Sequence, residues 1–208
     1  MLKLEHLAWE LPDGEGIIKD VDLTVQDGKL IVVTGPNGGG KTTLAKLIAG
    51  LETPSKGRIV FDGKDITKMD VTERAQNGIA YAFQQPVRFK GLTVRDILEL
   101  AAGGSLDESE LCGLLGKVGL CASEYMNREL TAALSGGEIK RIEIATVLAR
   151  KGKLSIFDEP EAGIDLWSFS RLVETFEDLR RQGSGTLLVI SHQERILSIA
   201  DEIVVIAD

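Results

Sequence analysis

Residues Gly35 to Thr43 have the types and the spacing needed to hold a nucleotide phosphate. The stretch reads GPNGGGKTT and fits the pattern G-x-x-x-x-G-K-[ST] in full. Its glycines let backbone N–H groups surround the β- and γ-phosphates, the lysine adds positive charge there, and the next hydroxyl can ligate Mg²⁺. The nucleotide-binding residues predicted here are Gly35, Pro36, Asn37, Gly38, Gly39, Gly40, Lys41, Thr42 and Thr43, with Thr42 also on the metal.

A second stretch suited to an anion lies downstream at LSGGE, Leu134 to Glu138. A Ser-Gly-Gly turn that opens a helix points free backbone N–H groups and the positive end of the helix dipole at an anion. Ser135, Gly136 and Gly137 are therefore predicted phosphate contacts. The alternative is a helix cap with a local stabilising value of about 1 kcal/mol. Two phosphate sites in one small domain need an explanation.

Several predicted strands end in polar residues of the types that enzymes use for catalysis and metal binding. LSIFDEP places Asp158 and Glu159 at the carboxyl end of a buried apolar strand, the edge at which parallel sheets bind ligands. Asp158 suits the Mg²⁺ shell, and Glu159 suits the activation of a water molecule. Gln84 follows another strand and could reach the metal or the attacking water, while His192 follows a third and could contact the γ-phosphate. Each alone is more often an ordinary polar strand end, and their shared edge favours function.

Short apolar runs alternate with helical spacing along the chain. Strands are predicted at Lys29–Gly35, Gly57–Gly63, Gly78–Phe83, Lys153–Pro160, Gly185–His192 and the terminal EIVVIAD. Helices are predicted after the glycine-rich loop, at Asp70–Asn77 and at Leu166–Arg181. The alternation predicts an α/β fold with a mostly parallel core sheet and helices on both faces. Leu2–Glu10 and Ile17–Val25 are predicted to form an antiparallel edge.

One region departs from this alternation. From Thr93 to about Tyr125, and on towards Leu134, the spacing is helical without a strand, which predicts an inserted helical subdomain. A chain of 208 residues is long enough for one domain with a sizeable core. We predict a single domain over residues 1–208, with its core in 1–84 and 135–208 and its helical subdomain in about 85–134.

The composition argues against several classes of protein. There are 24 Lys and Arg against 32 Asp and Glu, and the net charge of −8 argues against nonspecific nucleic-acid binding. No apolar run approaches the roughly 20 residues of a membrane span, and the N-terminus lacks a signal-peptide layout, so we expect a cytoplasmic protein. Cys112 and Cys121 are too few for a disulfide framework or a four-sulfur metal site, and we expect both to pack as small apolar residues.

The order of GPNGGGKTT, FQQP, LSGGE, LSIFDEP, ID and SH resembles the ATP-binding cassette (ABC) ATPase family. The resemblance covers essentially the whole chain, and LSGGE, the signature motif of that family, is highly specific in this order. It implies the P-loop NTPase fold and hydrolysis of ATP to ADP and phosphate, with ATP and Mg²⁺ as cofactors.

The resemblance also assigns roles by position. Lys41 and Thr42 belong to the P-loop, Gln84 to the Q-loop, Ser135 to Glu138 to the signature, Asp158 to Walker B, Glu159 to the catalytic base, Asp165 to the D-loop and His192 to the switch histidine. It implies that two copies pair head to tail, so that the signature of one chain caps the γ-phosphate held by the P-loop of the other. Each chain would then carry half of two sites, which accounts for the two phosphate-binding stretches.

Two features depart from the family pattern. The D-loop reads AGID, where a small residue followed by Ala-Leu-Asp is common. The family often stacks adenine on an aromatic residue about where Leu11 falls, and Trp9 lies two residues earlier. Trp9 therefore has two readings, adenine stacking or packing in the edge sheet.

Within the family, SGGEIKRIEI and SHQERIL are similar to the ATPase of the Suf iron–sulfur assembly system. We therefore predict an ATP-dependent homodimer that drives a soluble Suf-like scaffold, with no nucleic acid and no direct membrane insertion. The alternative is the ATP-binding subunit of an ABC membrane transporter, held at the inner face of the membrane by its partner. A DNA-repair or chromosome-maintenance ATPase is disfavoured, because those proteins insert long coiled coils or zinc modules and this chain is acidic.

Lys41→Ala is expected to weaken nucleotide binding, because the β- and γ-phosphate charge loses its fixed counter-charge. Titration with a fluorescent ATP analogue measures the affinity. Lys46→Ala, in the same predicted helix but outside the motif, is the matched control and should bind as the wild type does. Unchanged affinity in Lys41→Ala would mean that the glycine-rich loop is only a turn.

Overall fold

The computed structural model describes residues 1–11, 13–131 and 133–207. Its strands are β1 (Leu2–Glu10), β2 (Gly16–Val25), β3 (Leu30–Thr34), β4 (Lys56–Phe61), β5 (Lys64–Asp65), β6 (Ile79–Ala82), β7 (Leu154–Asp158), β8 (Thr186–Ile190) and β9 (Glu202–Val205). Its helices are α1 (Lys41–Ala49), α2 (Val71–Gln76), α3 (Val94–Ala102), α4 (Glu108–Lys117), α5 (Ala122–Tyr125), α6 (Gly136–Ala149), α7 (Leu166–Gln182) and α8 (Glu194–Leu197). Asp208, the last residue of the predicted terminal strand, lies outside the described residues.

The core sheet is parallel, as the alternation of strands and helices predicts. Its strand order is β6-β7-β8-β3-β9, and neighbouring strands pair in parallel. β7 and β8 are buried along their whole length. A strand covered on both faces needs apolar residues at successive positions, which the runs LSIFD and TLLVI provide.

The two faces of this sheet pack against two separate clusters of apolar residues. Leu30 and Val32 of β3 belong to one cluster, and Ile31 and Val33 belong to the other. Successive side chains of a strand point to opposite faces, and residues of α6 and α7 belong to the first cluster whereas residues of α1 belong to the second. Helices therefore lie on both sides of the sheet. The prediction of helices on both faces is confirmed.

The two N-terminal strands pair antiparallel, as predicted, but they do not form an edge of the parallel sheet. They belong to a separate antiparallel sheet of order β2-β1-β4-β5. β1 pairs with β2 on one side and with β4 on the other, so both of its edges are already occupied. The run GRIVFDG was predicted as a strand and is one, but it joins this second sheet.

Helices α3, α4 and α5 follow β6 and precede α6 in the chain, as predicted for the helical subdomain. Thr93 precedes α3 and Asp107 precedes α4, and each caps its helix in a capping box. Apolar residues of this segment pack in the same cluster as those of the parallel sheet. The division at residues 84 and 135 stays a prediction.

The prediction that both cysteines are packed is wrong, since Cys112 and Cys121 are exposed. α4 buries Leu111 and Leu115, one turn apart, so Cys112 faces away from the core. Cys121 precedes α5, and its Sγ atom lies 3.1 Å from Ser123 Oγ at the surface.

Arg74 is a fully buried cation that joins α2 to the end of α1. Its guanidinium donates to the carbonyl oxygens of Leu47, Ile48, Thr67 and Met69. Burial lowers the pKa of Arg74 from its ordinary value. The Arg74 guanidinium thus donates to backbone carbonyls at the C-terminal end of α1 and in the segment before α2.

No helix within residues 1–11, 13–131 and 133–207 combines the length and the apolar character that crossing a membrane requires.

Candidate nucleotide site

The glycine-rich loop lies between β3 and α1, at the carboxyl edge of the parallel sheet. Gly35 has a φ of +139°, and a side chain there would place its Cβ 2.1 Å from the carbonyl oxygen of Ile206. Gly40 has a φ of +91° and directly precedes α1. Glycine at these two positions lets the chain turn tightly from the strand into the helix, which brings the N-terminus of α1 to this edge.

Lys41 is the first residue of α1, and its side chain is buried within the loop. Its Nζ atom donates to the carbonyl oxygens of Gly35 and Pro36, both at 2.8 Å. The Lys41 ammonium group therefore lies against the backbone carbonyls of the glycine-rich loop.

Asp158 ends β7 and is completely buried. Its Oδ1 atom accepts from Thr42 Oγ1 at 3.1 Å, and its Oδ2 atom accepts from Tyr81 OH at 2.9 Å. Burial raises the pKa of Asp158, and these two donors oppose that rise. Burial also raises the pKa of Tyr81, so its hydroxyl stays protonated and donates.

Glu159 follows directly, with a φ of +44° that side-chain-bearing residues rarely adopt. Its N–H donates to the Ile190 carbonyl oxygen at 3.0 Å. Its Oε2 atom accepts from Gln84 Nε2 at 2.9 Å. The strained backbone turns the Glu159 carboxylate towards the segment that follows β6.

A cleft of about 370 Å³ brings these predicted residues together. Its lining residues are Asn37, Gly38, Gly40, Lys41, Thr42, Thr43, Gln84 and Glu159. Backbone N–H groups, an ammonium, a hydroxyl and a carboxylate share one opening, a combination suited to a phosphate chain with a divalent cation.

His192 follows β8, as predicted, but it is exposed and does not line this cleft. Its neighbour Ser191 is buried, and the Ser191 Oγ atom donates to Glu161 Oε1 at 2.6 Å. Burial raises the pKa of Glu161. The structure therefore places His192 beside a carboxyl group that the sequence patterns did not single out.

The signature residues lie at the start of α6, and they do not line the cleft. Ser135 caps the helix: its Oγ accepts from Glu138 N at 3.3 Å, while Glu138 Oε2 accepts from Ser135 N at 2.7 Å. The Tyr125 hydroxyl also donates to Glu138, and these bonds lower the pKa of Glu138 to about 2. The local cap is thus present, while Ser135 and Gly136 remain exposed.

Gly137 packs against the segment that leads to Asp165. A side chain at Gly137 would place its Cβ 2.6 Å from the Gly163 carbonyl oxygen. Asp165 caps α7 by accepting from the N–H groups of Trp167 and Ser168, each at 3.0 Å. Arg141 Nη1 donates to Ser168 Oγ at 2.9 Å, so the signature helix and the D-loop helix are joined directly.

Comparison with known proteins identifies the family. The sequence model of the family described as "ABC transporter" matches residues 18–162 of this chain. An uncharacterized ABC transporter ATP-binding protein of Methanocaldococcus jannaschii is 39% identical over 98% of this chain and 84% of its own length.

This chain belongs to the ABC transporter family.

Further relatives agree with that membership. The lipopolysaccharide export system ATP-binding protein LptB of Haemophilus influenzae is 33% identical over 97% of this chain and 84% of its own length. A structure described as a dimeric post-hydrolysis state of an ATP-binding cassette, bound to ADP and phosphate, matches with a TM-score of 0.88. It is 24% identical and covers 99% of this chain and 94% of that one, so it confirms the ABC fold. As a member of this family, the chain is an ATPase that converts ATP to ADP and phosphate.

Several residues that contact the predicted site residues, or the elements that carry them, were not predicted from the sequence. They are Tyr81, Lys140, Arg141 and Glu143. One signal was available in the sequence: Glu143 falls on the same helical stripe as Ile139, Ile142 and Thr146, where a charge is unexpected.

Trp9 is partly buried against the apolar cluster of the antiparallel sheet, as its packing alternative predicts.

Proposed function

We propose that this chain is the ATP-binding subunit of an ABC membrane transporter, acting as an ATP-dependent dimer on the cytoplasmic side of the membrane. The observation that carries the ATPase part is the cleft lined by Thr42, Gln84 and Glu159, in which Gln84 contacts Glu159 and beneath which Thr42 contacts the buried Asp158. The transporter part is supported by relatives that are named as transporter proteins and cover nearly the whole chain. These names favour the transporter alternative over the Suf-like prediction.

The residues fit Mg²⁺. The Thr42 hydroxyl and the Asp158 carboxylate, 3.1 Å apart, offer the oxygen ligands that this cation prefers, and the Gln84 amide lines the same cleft. Bound there, Mg²⁺ supplies neutralisation of phosphate charge. Thr42, Asp158 and Gln84 are accordingly the proposed metal-binding residues.

The remaining site residues divide between binding and proton transfer. Backbone N–H groups of Gly35 to Thr43 and the Lys41 ammonium bind the phosphates. Glu159 accepts a proton from water as the water oxygen bonds to the γ-phosphorus and the bond to the ADP oxygen breaks. Gln84 orients Glu159 through the 2.9 Å hydrogen bond. His192, at the surface after β8, is proposed to contact the γ-phosphate when the dimer closes.

The exposed signature residues fit a role between two chains. Ser135 and Gly136 are exposed at the N-terminus of the 14-residue helix α6, outside the cleft of their own chain. We propose that they cap the γ-phosphate bound by a second copy. ATP then supplies contacts to both chains, and ADP, which lacks the γ-phosphate, does not.

An apolar groove offers a surface for the membrane subunit. It is lined by residues that include Phe83, Val87, Phe89, Ile97 and Leu100, and its volume is about 260 Å³. Val87, Phe89 and Leu100 are exposed, with 71% exposure at Leu100. Phe83, which lines the groove, directly precedes Gln84, so a partner seated there would act directly on the Q-loop.

Glu159→Gln is expected to bind ATP normally while turnover falls at least about a hundredfold, because the amide cannot accept the proton. Phosphate release at saturating ATP is the measurement. Glu174→Gln, an exposed position on α7, is the control and should keep the wild-type rate. A Glu159→Gln rate close to wild type would remove Glu159 from the mechanism.

Glu159→Gln is also expected to be a monomer without nucleotide, a dimer with Mg-ATP and a monomer with ADP. Adding Ser135→Arg should abolish the dimer and leave ATP affinity nearly unchanged, since the P-loop is untouched. Light scattering on size exclusion reports the mass. Ser105→Arg, at an exposed serine before α4, is the matched control. If Ser135→Arg still dimerises, the capping role is wrong; if it also loses ATP binding, the signature serves folding.

The partner is tested with tagged Glu159→Gln protein purified with Mg-ATP from detergent-solubilised membranes of the native host. Mass spectrometry should identify a multi-span membrane protein. Leu100→Asp should lose it, because the charge enters the apolar groove, and Val205→Asp, 65% exposed on β9, should retain it. Recovery of a soluble scaffold in place of a membrane protein would support the Suf-like alternative and contradict the transporter proposal.

A further inference from the structure

A buried ammonium group lies beneath the segment that carries Gln84. Lys140, on α6, is only 1% exposed. Its Nζ atom donates to the carbonyl oxygens of Phe83, of Gln84 at 3.3 Å and of Asp158 at 3.2 Å. A lysine ammonium has three N–H donors, and here all are directed at backbone carbonyls. One side chain of the signature helix thus joins the chain after β6 to the end of β7.

Glu143, one turn further along α6, completes this arrangement. Its Oε1 atom accepts from the Phe83 N–H at 3.0 Å, and its Oε2 atom lies 3.7 Å from Lys140 Nζ. Both polar backbone groups of Phe83 are therefore held by α6. Glu143 Oε2 is buried and, among the described residues, has no hydrogen-bond partner, so its charge is balanced mainly by the nearby ammonium.

Stability alone is a poor explanation for this pair. Removing two charges from water costs free energy, and apolar residues of similar volume fill a buried position at least as well. Burial lowers the pKa of Lys140, and the charges of Glu143 and Asp158 oppose that shift. What the pair does supply is a fixed backbone at Phe83 and Gln84, from which the Gln84 side chain reaches Glu159.

We infer that Lys140, with Glu143, is a positioning residue for ATP hydrolysis, which holds the Gln84 backbone so that the Gln84 amide orients Glu159. Because Lys140 lies on the helix that Ser135 caps, five residues further along the chain, it also couples the signature to the Q-loop. This inference rests on the proposed roles of Gln84 and Glu159.

The first test replaces the ion pair without leaving a lone buried charge, in the double variant Lys140→Met with Glu143→Gln. Methionine keeps the volume, and glutamine keeps an oxygen for the Phe83 N–H. We expect kcat to fall at least about tenfold with KM for ATP and thermal stability close to wild type, because the P-loop is untouched. Arg74→Met is the control, because Arg74 is another buried cation that donates to backbone carbonyls. This variant should lower thermal stability but not kcat. An unchanged kcat in the double variant would overturn the inference.

A second test asks whether Lys140 acts through Gln84. In a Gln84→Ala background, the same double substitution should leave kcat unchanged within about twofold, and a full additional loss contradicts that route. Lys140→Arg, which keeps charge and N–H donors, should retain more kcat per folded molecule than Lys140→Gln, and the opposite order also overturns the inference. Gln84→Ala and Glu159→Gln are measured alone. If Gln84→Ala and Glu159→Gln both keep the wild-type rate, the proposed roles of Gln84 and Glu159 are wrong. If those two variants lose activity but the Lys140 variants keep the wild-type rate, the inference about Lys140 is wrong.

Discussion

The site depends on one buried carboxylate at the end of a parallel strand. Asp158 has no exposure to solvent, and a buried carboxylate is stable only when donors surround it. Thr42 from α1 and Tyr81 from β6 supply side-chain donors, and Lys140 from α6 binds the Asp158 carbonyl. Satisfying this residue therefore fixes the P-loop helix, the strand before the Q-loop and the signature helix around one point.

The parallel sheet explains why these groups meet. β6, β7, β8 and β3 are neighbours in that order, and their carboxyl ends lie at one edge. The P-loop follows β3, Glu159 follows β7 and Gln84 follows β6, so residues far apart in sequence line one cleft. The signature helix starts elsewhere, with Ser135 and Gly136 exposed. Two proposed phosphate-binding stretches in one domain are consistent with a site completed by a second chain.

Features encoded by consecutive residues could be predicted from the sequence. The sequence predicts the strands that contain LIVVT, LSIFD and TLLVI, and it predicts the P-loop residues. Runs of apolar residues and the spacing of a motif can both be read from neighbouring positions in the chain. The separate antiparallel sheet was not predicted, since strand partners depend on which edges remain free in three dimensions. The exposed Cys112 shows the same limit, because a residue one position from buried Leu111 can face away from the core. The role of Lys140 was not predicted for a related reason. Its acceptors are backbone carbonyls of other elements, and every residue has a backbone carbonyl, so the sequence does not indicate which ones Lys140 contacts.

If each chain holds half of two ATPase sites, as proposed, two variants with different defects should complement each other, and a mixing experiment measures this most directly. Ser135→Arg protein has an intact P-loop and an altered signature, whereas Glu159→Gln protein has an intact signature and an altered base. Each protein alone has no complete site, so both are expected to be inactive; they are mixed before Mg-ATP is added, and phosphate release is measured. A heterodimer would join the intact P-loop side of the first chain to the intact signature of the second, so we expect activity to return on mixing. A mixture that stays as inactive as its components would contradict the account.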